Sequence, residues 1–221
     1  KVENIDLNCC AGDYTLLSFA SEINDIEIVE FLLKSNQVNI NLTGPNNGNT
    51  ALMNSIKYQN YEISKILLKE PNIDINLCNY EKETSLIYAV ENESIEIIDL
   101  LIKHDKFNAT KSFLNYAFYI STLEISKKLI SLESLDVNYV AKNLNKIINF
   151  SKMSDLCTTK LINAVSSTTP NEEMIDLIIN HPSFDKEKSL AKFALFKTTC
   201  KNINIKIFKK LLSVFDNDVN I

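Results

Sequence analysis

The chain has 221 residues, of which 45% are hydrophobic, and its formal net charge is −5. All 23 of its basic residues are lysines, and a chain that is acidic and lacks Arg is a poor candidate for nucleic-acid binding. Its apolar runs extend over only a few residues, far short of the roughly 20 needed to cross a bilayer, so we expect no direct membrane insertion.

The cysteines do not predict a covalent framework. Their number is odd and no Cys-x-x-Cys pair occurs, which argues against disulfides or a zinc site. The five are Cys9, Cys10, Cys78, Cys157 and Cys200. We therefore expect reduced thiols, no cofactor and a cytoplasmic location.

A short phrase recurs along the chain at a nearly constant interval. Its clearest copies are residues 4–8, 37–41 and 72–76, each ending in Asn. Weaker copies end at Asn108, Asn138, Asp185 and Asn220. The last residues of successive copies are 33, 35, 32, 30, 47 and 35 positions apart. A period of this length is typical of a solenoid, in which stacked repeats present a surface to partners.

Two short helical patterns lie between successive copies of the phrase. In the second unit, Thr50 can cap the first helix through its hydroxyl, and residues 62–69 carry apolar side chains at helical spacing. A polar break at 58–61 separates the two helices. In four units the anchoring Leu of the first helix lies 11 residues before the first Ile that follows the Glu of the second helix.

These residues resemble the ankyrin repeat. Thr50-x-Leu52 matches part of the family's T-P-L-H opening, as does Thr84-x-Leu86; residues 26–33 match its second-helix signature and 47–50 its tip turn. The resemblance covers essentially the whole chain and is strongest over 1–138. It implies an all-α fold, an ankyrin-like helical-pair solenoid with extended tips and one helical insertion. A tetratricopeptide array, which has a similar period but longer helices, is the alternative.

The sequence departs from the ankyrin pattern at two positions. Met53 and Ile87 occupy the His position of the opening motif, so the hydrogen bonds of that His are not expected here. Asn24, Gln59 and Glu93 stand where Gly usually separates the two helices. Because Gln and Glu tolerate left-handed backbone poorly, we expect local strain or a rearranged turn.

We expect a single repeat array over 1–221. Its approximate units are 9–41, 42–76, 77–108, 109–138, 139–185 and 186–221. The fifth unit contains an insertion near 139–160 with an amphipathic pattern, which is either a partner-specific element or a helix that completes the stack. Both ends interrupt the repeat at an equivalent place and neither resembles a polar capping repeat, so we expect a fragment of a longer array.

No group of residues predicts catalysis or metal binding. His104 and His181 each fall at the end of a second helix, where the ring can cap carbonyls; a metal or catalytic role is the alternative. Acids recur once per repeat, which is typical of first-turn residues that favour the helix N-terminus and not of a catalytic pair. They are Glu27, Glu62, Glu96 and Glu124. We therefore expect no enzyme activity.

The resemblance implies a monomeric, scaffold-like module that binds an unidentified protein on its concave first-helix and tip surface. The residues expected there are Tyr14, Asn49, Asn54, Tyr58, Glu83, Tyr88, Asn92, Phe113 and Tyr116. Tyr is the favoured hot-spot type because the chain has neither Trp nor Arg. The alternative is that the rings pack between repeats. Two other functions remain open: a regulatory or targeting segment of a larger multidomain enzyme or membrane protein, and a structural spacer.

Overall fold

A computed structural model describes residues 6–132, 134–137, 160–161, 164, 171–185 and 205–214. The chain divides into two compact units, Lys1–Leu114 and Asn115–Ile221. From here on these are called the first and the second unit, each is described by itself, and a single helix pair with its tip is called a repeat. The predicted insertion near 139–160 lies outside the described residues except for Lys160, and so does most of the predicted unit at 186–221.

Helix pairs build the first unit, as the recurring patterns predict. They are α1 (Leu16–Glu22) with α2 (Ile26–Lys34), α3 (Ala51–Lys57) with α4 (Tyr61–Leu67), and α5 (Ser85–Glu91) with α6 (Ile95–Ile102). A short antiparallel hairpin, β1 (Cys10–Ala11) and β2 (Tyr14–Thr15), precedes α1, and a single antiparallel bridge joins Cys78 to Thr84 before α5. The all-α fold is confirmed.

Further helices follow from the end of the first unit onward. They are α7 (Leu114–Ile120), α8 (Leu123–Leu129), α9 (Glu172–Ile179) and α10 (Ile205–Ser213). In the second unit, α8 packs against α9. The apolar residues at this contact are almost fully buried: Ile125, Leu129, Ile175 and Ile178.

Threonine hydroxyls begin the first helix of each pair in the first unit. Thr50 accepts a hydrogen bond from the Met53 amide at 3.2 Å, as predicted. Thr15 and Thr84 accept from the corresponding amides at 3.1 and 3.4 Å. Each hydroxyl satisfies one of the amides that a helix N-terminus leaves unpaired, which explains why a Thr precedes each of these three helices.

The turn between the two helices of a pair keeps a left-handed residue even without Gly. Asn24, Gln59 and Glu93 have φ angles of 61°, 63° and 53°. In all three turns the next amide donates to the carbonyl five positions earlier, at 2.7–3.0 Å. The expected strain is therefore confirmed and the turn is not rearranged, because packing of the pair outweighs a cost of about 1–2 kcal/mol per residue.

The core of the first unit lies between the helices of successive pairs. In the second and third pairs the anchoring Leu of the first helix and the Ile 11 positions later are both buried, as in Leu52 and Ile63; in the first pair Leu17 is buried but Ile28 is exposed. The buried anchors are Leu17, Leu32, Leu52, Ile63, Leu67, Leu86, Ile97 and Leu101. Burying apolar area of this kind supplies most of the stability of stacked helices.

The recurring phrase carries an asparagine that fastens one repeat to the next. Asn41 Nδ2 donates to the Asn72 carbonyl at 2.8 Å, and its Oδ1 accepts from the Asp74 amide at 2.8 Å. Asn8 and Asn76 make the same pair of bonds to the following phrase, at 2.6–2.9 Å. We refer to Asn8, Asn41 and Asn76 as the asparagine clamp.

The clamp also corrects the alignment of the fourth phrase. Asn76 binds the amide of Asn108 in the way that Asn41 binds the amide of Asp74. Asn108 therefore corresponds to Asp74 and not to the final Asn of the phrase, and Thr110 occupies the clamp position. The interval between equivalent positions is then 34 residues (74 to 108), close to the 35 of the preceding interval, instead of the 32 taken from the sequence.

We expect Asn41→Ala to lower the free energy of unfolding by about 1–2 kcal/mol, because two inter-repeat hydrogen bonds are lost where water can partly replace them. Urea unfolding followed by circular dichroism measures the change. Asn72→Ala is the matched control, since it keeps the backbone carbonyl that the clamp binds. A loss as large in the control as in Asn41→Ala would contradict a role for the clamp.

Candidate functional site

Six of the residues predicted to bind a partner belong to one hydrogen-bonded row in the first unit. The row runs along the first-helix side across three successive repeats. Its members are Tyr14, Glu22, Asn49, Asn54, Tyr58, Asn79, Glu83 and Tyr88. The sequence placed these residue types on one surface; the structure shows how they are joined.

Glu22, in the last turn of α1, accepts the hydrogen bonds at one end of the row. Its carboxylate accepts from the Tyr14 hydroxyl at 3.2 Å and from Asn54 Nδ2 at 3.3 Å, and the Tyr58 hydroxyl is near enough for Glu22 to raise its pKa. Its negative charge, together with partial burial, raises the pKa of Tyr14. Burial and then Glu22 raise the pKa of Tyr58. Both phenols are therefore protonated donors at neutral pH.

Asn79, in the turn before α5, connects the side chains at the other end of the row. Its Nδ2 lies 2.9 Å from Asn49 Oδ1, 2.9 Å from Glu83 Oε2 and 3.0 Å from the Tyr88 hydroxyl. Its Oδ1 accepts from the amides of Glu81 and Glu83 at 3.0 and 2.8 Å. Asn49 Nδ2 then donates to Asn54 Oδ1 at 2.9 Å, which connects this end to Glu22.

Tyr88 is the most strongly perturbed group of the row. Burial and its hydrogen bond to Glu83 raise the pKa of Tyr88 far above the usual value for a phenol. Lys57 Nζ lies 5.4 Å from the centre of its ring. Burial and the nearby Glu83 also raise the pKa of Glu91. A phenol held neutral in this way is a hydrogen-bond donor and not a nucleophile or a base.

The predicted site residues differ in how much a partner could touch them. Tyr58 is 47% exposed, and Tyr14, Glu83, Asn92 and Phe113 are half-buried. The others are buried: Asn49 and Asn54 at 1%, Tyr88 at 4% and Tyr116 at 5% exposed. In the first unit, the buried members hold the accessible ones in place through the row.

Three predicted residues lie outside the row. Asn92 Nδ2 donates to the Ile56 carbonyl at the end of α3, at 2.7 Å, and so links two repeats. Phe113 has a left-handed backbone, with φ of 54°. Tyr116 belongs to the second unit, where its ring stacks on Tyr119 with centroids 6.4 Å apart.

The sequence did not predict Glu22 and Asn79, the two residues that connect the other side chains of the row. Glu22 had a signal: the position seven residues after the capping threonine is charged in all three repeats, as Glu22, Lys57 and Glu91. Asn79 had none that we recognise, because no equivalent residue recurs in the neighbouring units.

The two histidines lie just past the ends of helices, and the described cysteines are free. The His104 amide donates to the Leu101 carbonyl at 3.3 Å, just past the end of α6. His181 lies past the end of α9, and its Nε2 is 3.2 Å from the Ile130 carbonyl. Cys9, Cys10 and Cys78 are free thiols. Within the described ranges, no cluster of His, Cys, Asp and Glu could hold a metal ion, and no helix is long and apolar enough to span a membrane.

Known proteins share both this sequence pattern and this architecture. Residues 2–79 match the family model of ankyrin repeats, which has 3 copies of the repeat. The crystal structure of EF0377, an ankyrin repeat protein, is similar over 90% of this chain and 96% of its own, with a TM-score of 0.67 and 21% identity. An ankyrin repeat domain from Acinetobacter baumannii AYE is similar over 90% of this chain and 96% of its own, with a TM-score of 0.65 and 19% identity.

A curated relative matches a shorter stretch. The I-Kappa-B like protein C2 of Microplitis demolitor bracovirus (isolate Webb) is 31% identical over 65 residues, which are 29% of this chain and 36% of that protein. The match therefore spans about a third of the relative's length. The helix pairs and the solved structures together show that the chain has the stacked helical-pair fold of ankyrin repeats, and residues 2–79 also match the sequence model of those repeats.

Proposed function

We propose that this protein is a non-catalytic module that binds a protein partner on the first-helix and tip side of its first unit. Ankyrin repeats are generally protein–protein interaction modules, which sets the class. The observation that carries the specific surface is the hydrogen-bonded row, because it joins residues of three repeats and presents Tyr58 at its accessible edge.

The row favours binding because it is organised in advance. Accessible groups are held by their neighbours in the row, Tyr14 by the Glu22 carboxylate and Glu83 by the buried amide of Asn79, so less conformational entropy is lost when a partner arrives. Tyr58 combines a large ring with a hydroxyl and has the exposure that a hot-spot residue needs. The buried members, including Asn49 and Tyr88, contribute by fixing the geometry.

The same row supports the non-catalytic part of the proposal. Its titratable groups, Glu22, Glu83 and the three tyrosines, bond to one another and to neutral amides, and the tyrosines keep their protons. None of them forms the pair of nucleophile and base that covalent catalysis uses. The free thiols of Cys9, Cys10 and Cys78 fit the proposed cytoplasmic setting, and we propose that the module acts as a monomer.

We expect Tyr58→Ala to weaken capture of the partner at least tenfold, as truncation of a hot spot does, while stability changes by less than about 0.5 kcal/mol. The measurement is quantitative mass spectrometry of proteins retained from lysate by the parent chain and by each variant. Phe31→Ala is the matched control, since Phe31 is an exposed aromatic residue of α2. Equal loss in both variants, or unfolding of Tyr58→Ala, would contradict the proposed surface.

A further inference from the structure

The carboxylate of Glu22 has hydrogen bonds but no neutralising charge. It accepts from the Tyr14 hydroxyl and the Asn54 amide, and the Tyr58 hydroxyl lies near it; all three groups are neutral. In the part of the chain that the structure describes, no lysine forms an ion pair with it. Lys57, the nearest basic residue along the row, lies over the ring of Tyr88. The negative charge at this end of the row is therefore available to a ligand.

Aromatic rings lie beside this carboxylate, because Tyr14 donates to it and packs against Phe19. The rings of Tyr14 and Phe19 meet at a tilt, with centroids 5.6 Å apart. Tyr58, Phe19 and Ile23 are 47%, 45% and 52% exposed. A carboxylate without a counter-charge beside exposed rings can form an ion pair and a cation–π contact with the same cation. Water and simple salt ions do not make both contacts well.

We propose that Tyr14, Glu22 and Tyr58 form a recognition site for an arginine side chain of the partner. This inference rests on the proposed function, because it names the chemistry of the partner at the same surface. The guanidinium would stack on a tyrosine ring and donate to the carboxylate, and the apolar stem would lie against Phe19 and Ile23.

The charges along the row point to the same class of partner. Four acidic residues are close enough to change the pKa of the tyrosines or of each other: Asp13, Glu22, Glu83 and Glu91. Lys57 is the basic residue near them. A basic partner segment would thus be attracted to this side, and an acidic one repelled. Arginine suits the site better than lysine because its planar group can stack and bind a carboxylate through two N–H groups.

A purely structural role for Glu22 makes a different prediction. If the side chain only links repeats, an uncharged amide of the same shape keeps one acceptor oxygen and can preserve one of the two bonds that Tyr14 and Asn54 make to different oxygens of Glu22. Glu22→Gln therefore keeps an acceptor while removing the charge, and the variant separates the two roles. Glu27→Gln, on the exposed face of α2, is the matched control.

The test uses a capped tripeptide, acetyl-Gly-Arg-Gly-amide, and the same peptide with citrulline, which is uncharged and nearly isosteric. NMR of the aromatic resonances of Tyr14 and Tyr58 follows titration of the full chain. We expect saturable shifts with the arginine peptide at about millimolar affinity, as suits one contact. Affinity should be at least tenfold weaker for citrulline and at least fivefold weaker in Glu22→Gln, but unchanged in Glu27→Gln.

Two results would overturn the arginine site: equal shifts with both peptides, or full affinity in a Glu22→Gln variant whose melting temperature matches that of the parent. Tyr58→Phe, which keeps the ring, provides a second variant should Glu22→Gln fail to fold, and it should retain most of the affinity. Failure here with successful capture through Tyr58 would leave the proposed surface intact and reject only the arginine chemistry.

Discussion

Replacing Asn79 by Ala is expected to lower the free energy of unfolding by about 3 kcal/mol. The side chain is 3% exposed, and its amide lies within hydrogen-bond distance of three other residues of the row. Its oxygen also accepts two backbone amides of the turn before α5. Deleting it leaves several buried polar groups without partners, and each such group costs about 1–3 kcal/mol.

Asn46→Ala is the matched control for this substitution. Asn46 is exposed, and the described structure gives its side chain no hydrogen bond, so the change should stay within about 0.5 kcal/mol. Chemical denaturation of both variants, followed by circular dichroism, provides the comparison. If Asn79→Ala were no more destabilised than Asn46→Ala, the row would not hold the first unit together as described.

Raising the pH from about 7.5 to 10.5 is expected to stabilise the second unit relative to a Lys160→Met variant. Lys160 is 7% exposed, and its ammonium donates to the carbonyls of Tyr119 and Ser121 at the end of α7. The ammonium also lies 5.4 Å from the centre of the Phe118 ring. Burial lowers the pKa of Lys160 from 10.5 to about 8, so the folded state disfavours its charge.

The direction of the pH effect follows from where the proton is held more tightly. Between pH 8 and 10.5 the unfolded chain keeps the Lys160 proton while the folded chain releases it, so stability increases with pH across this range. The difference between the pKa values of Lys160 in the folded and unfolded chains corresponds to a change of about 3 kcal/mol in the free energy of unfolding.

Urea unfolding of both chains at several pH values measures this effect. The change is taken between the parent chain and Lys160→Met, so that the titration of tyrosines and other lysines cancels. A difference in unfolding free energy that stays flat from pH 7.5 to 10.5 would show that Lys160 is not held in a charge-disfavouring site.

The helix pairs could be predicted because their signals are local. A capping Thr, a Leu two residues later and an Ile 11 positions beyond that recur in register, and each acts within one repeat. The left-handed turns at Gln59 and Glu93 were also foreseeable as strained positions, since the constraint is a property of single residues. The period alone, however, did not explain why Asn ends the phrase.

The burial of individual site residues could not be predicted, because it depends on the neighbouring repeat. Phe19, Asn54 and Tyr88 occupy the same position of α1, α3 and α5, four residues after the capping Thr. Asn54 and Tyr88 are 1% and 4% exposed, since a preceding helix pair covers them. Phe19, on the first described helix, is 45% exposed. The same position thus serves as core or as surface according to its neighbour.

The hydrogen-bonded row was equally hidden from the sequence. Asn49 and Asn79 are 30 residues apart, and Asn54 and Glu22 are 32 apart, so their bonds arise only when the repeats stack. Amides and carboxylates at such separations carry no periodic signal beyond the charge that recurs at the last residue of each first helix. The predicted surface therefore contained six of the eight residues of the row, without Glu22 and Asn79, which connect them.

A crosslinking scan tests the binding surface most directly. Benzoylphenylalanine would be placed at Tyr58 and Asn92 on the first-helix side, and at the exposed residues Phe31 and Leu100 of α2 and α6. After irradiation in lysate of the source organism, we expect the same protein to be captured from positions 58 and 92 and not from 31 or 100. Capture from 31 and 100 alone would place the partner on the second-helix side and contradict the account.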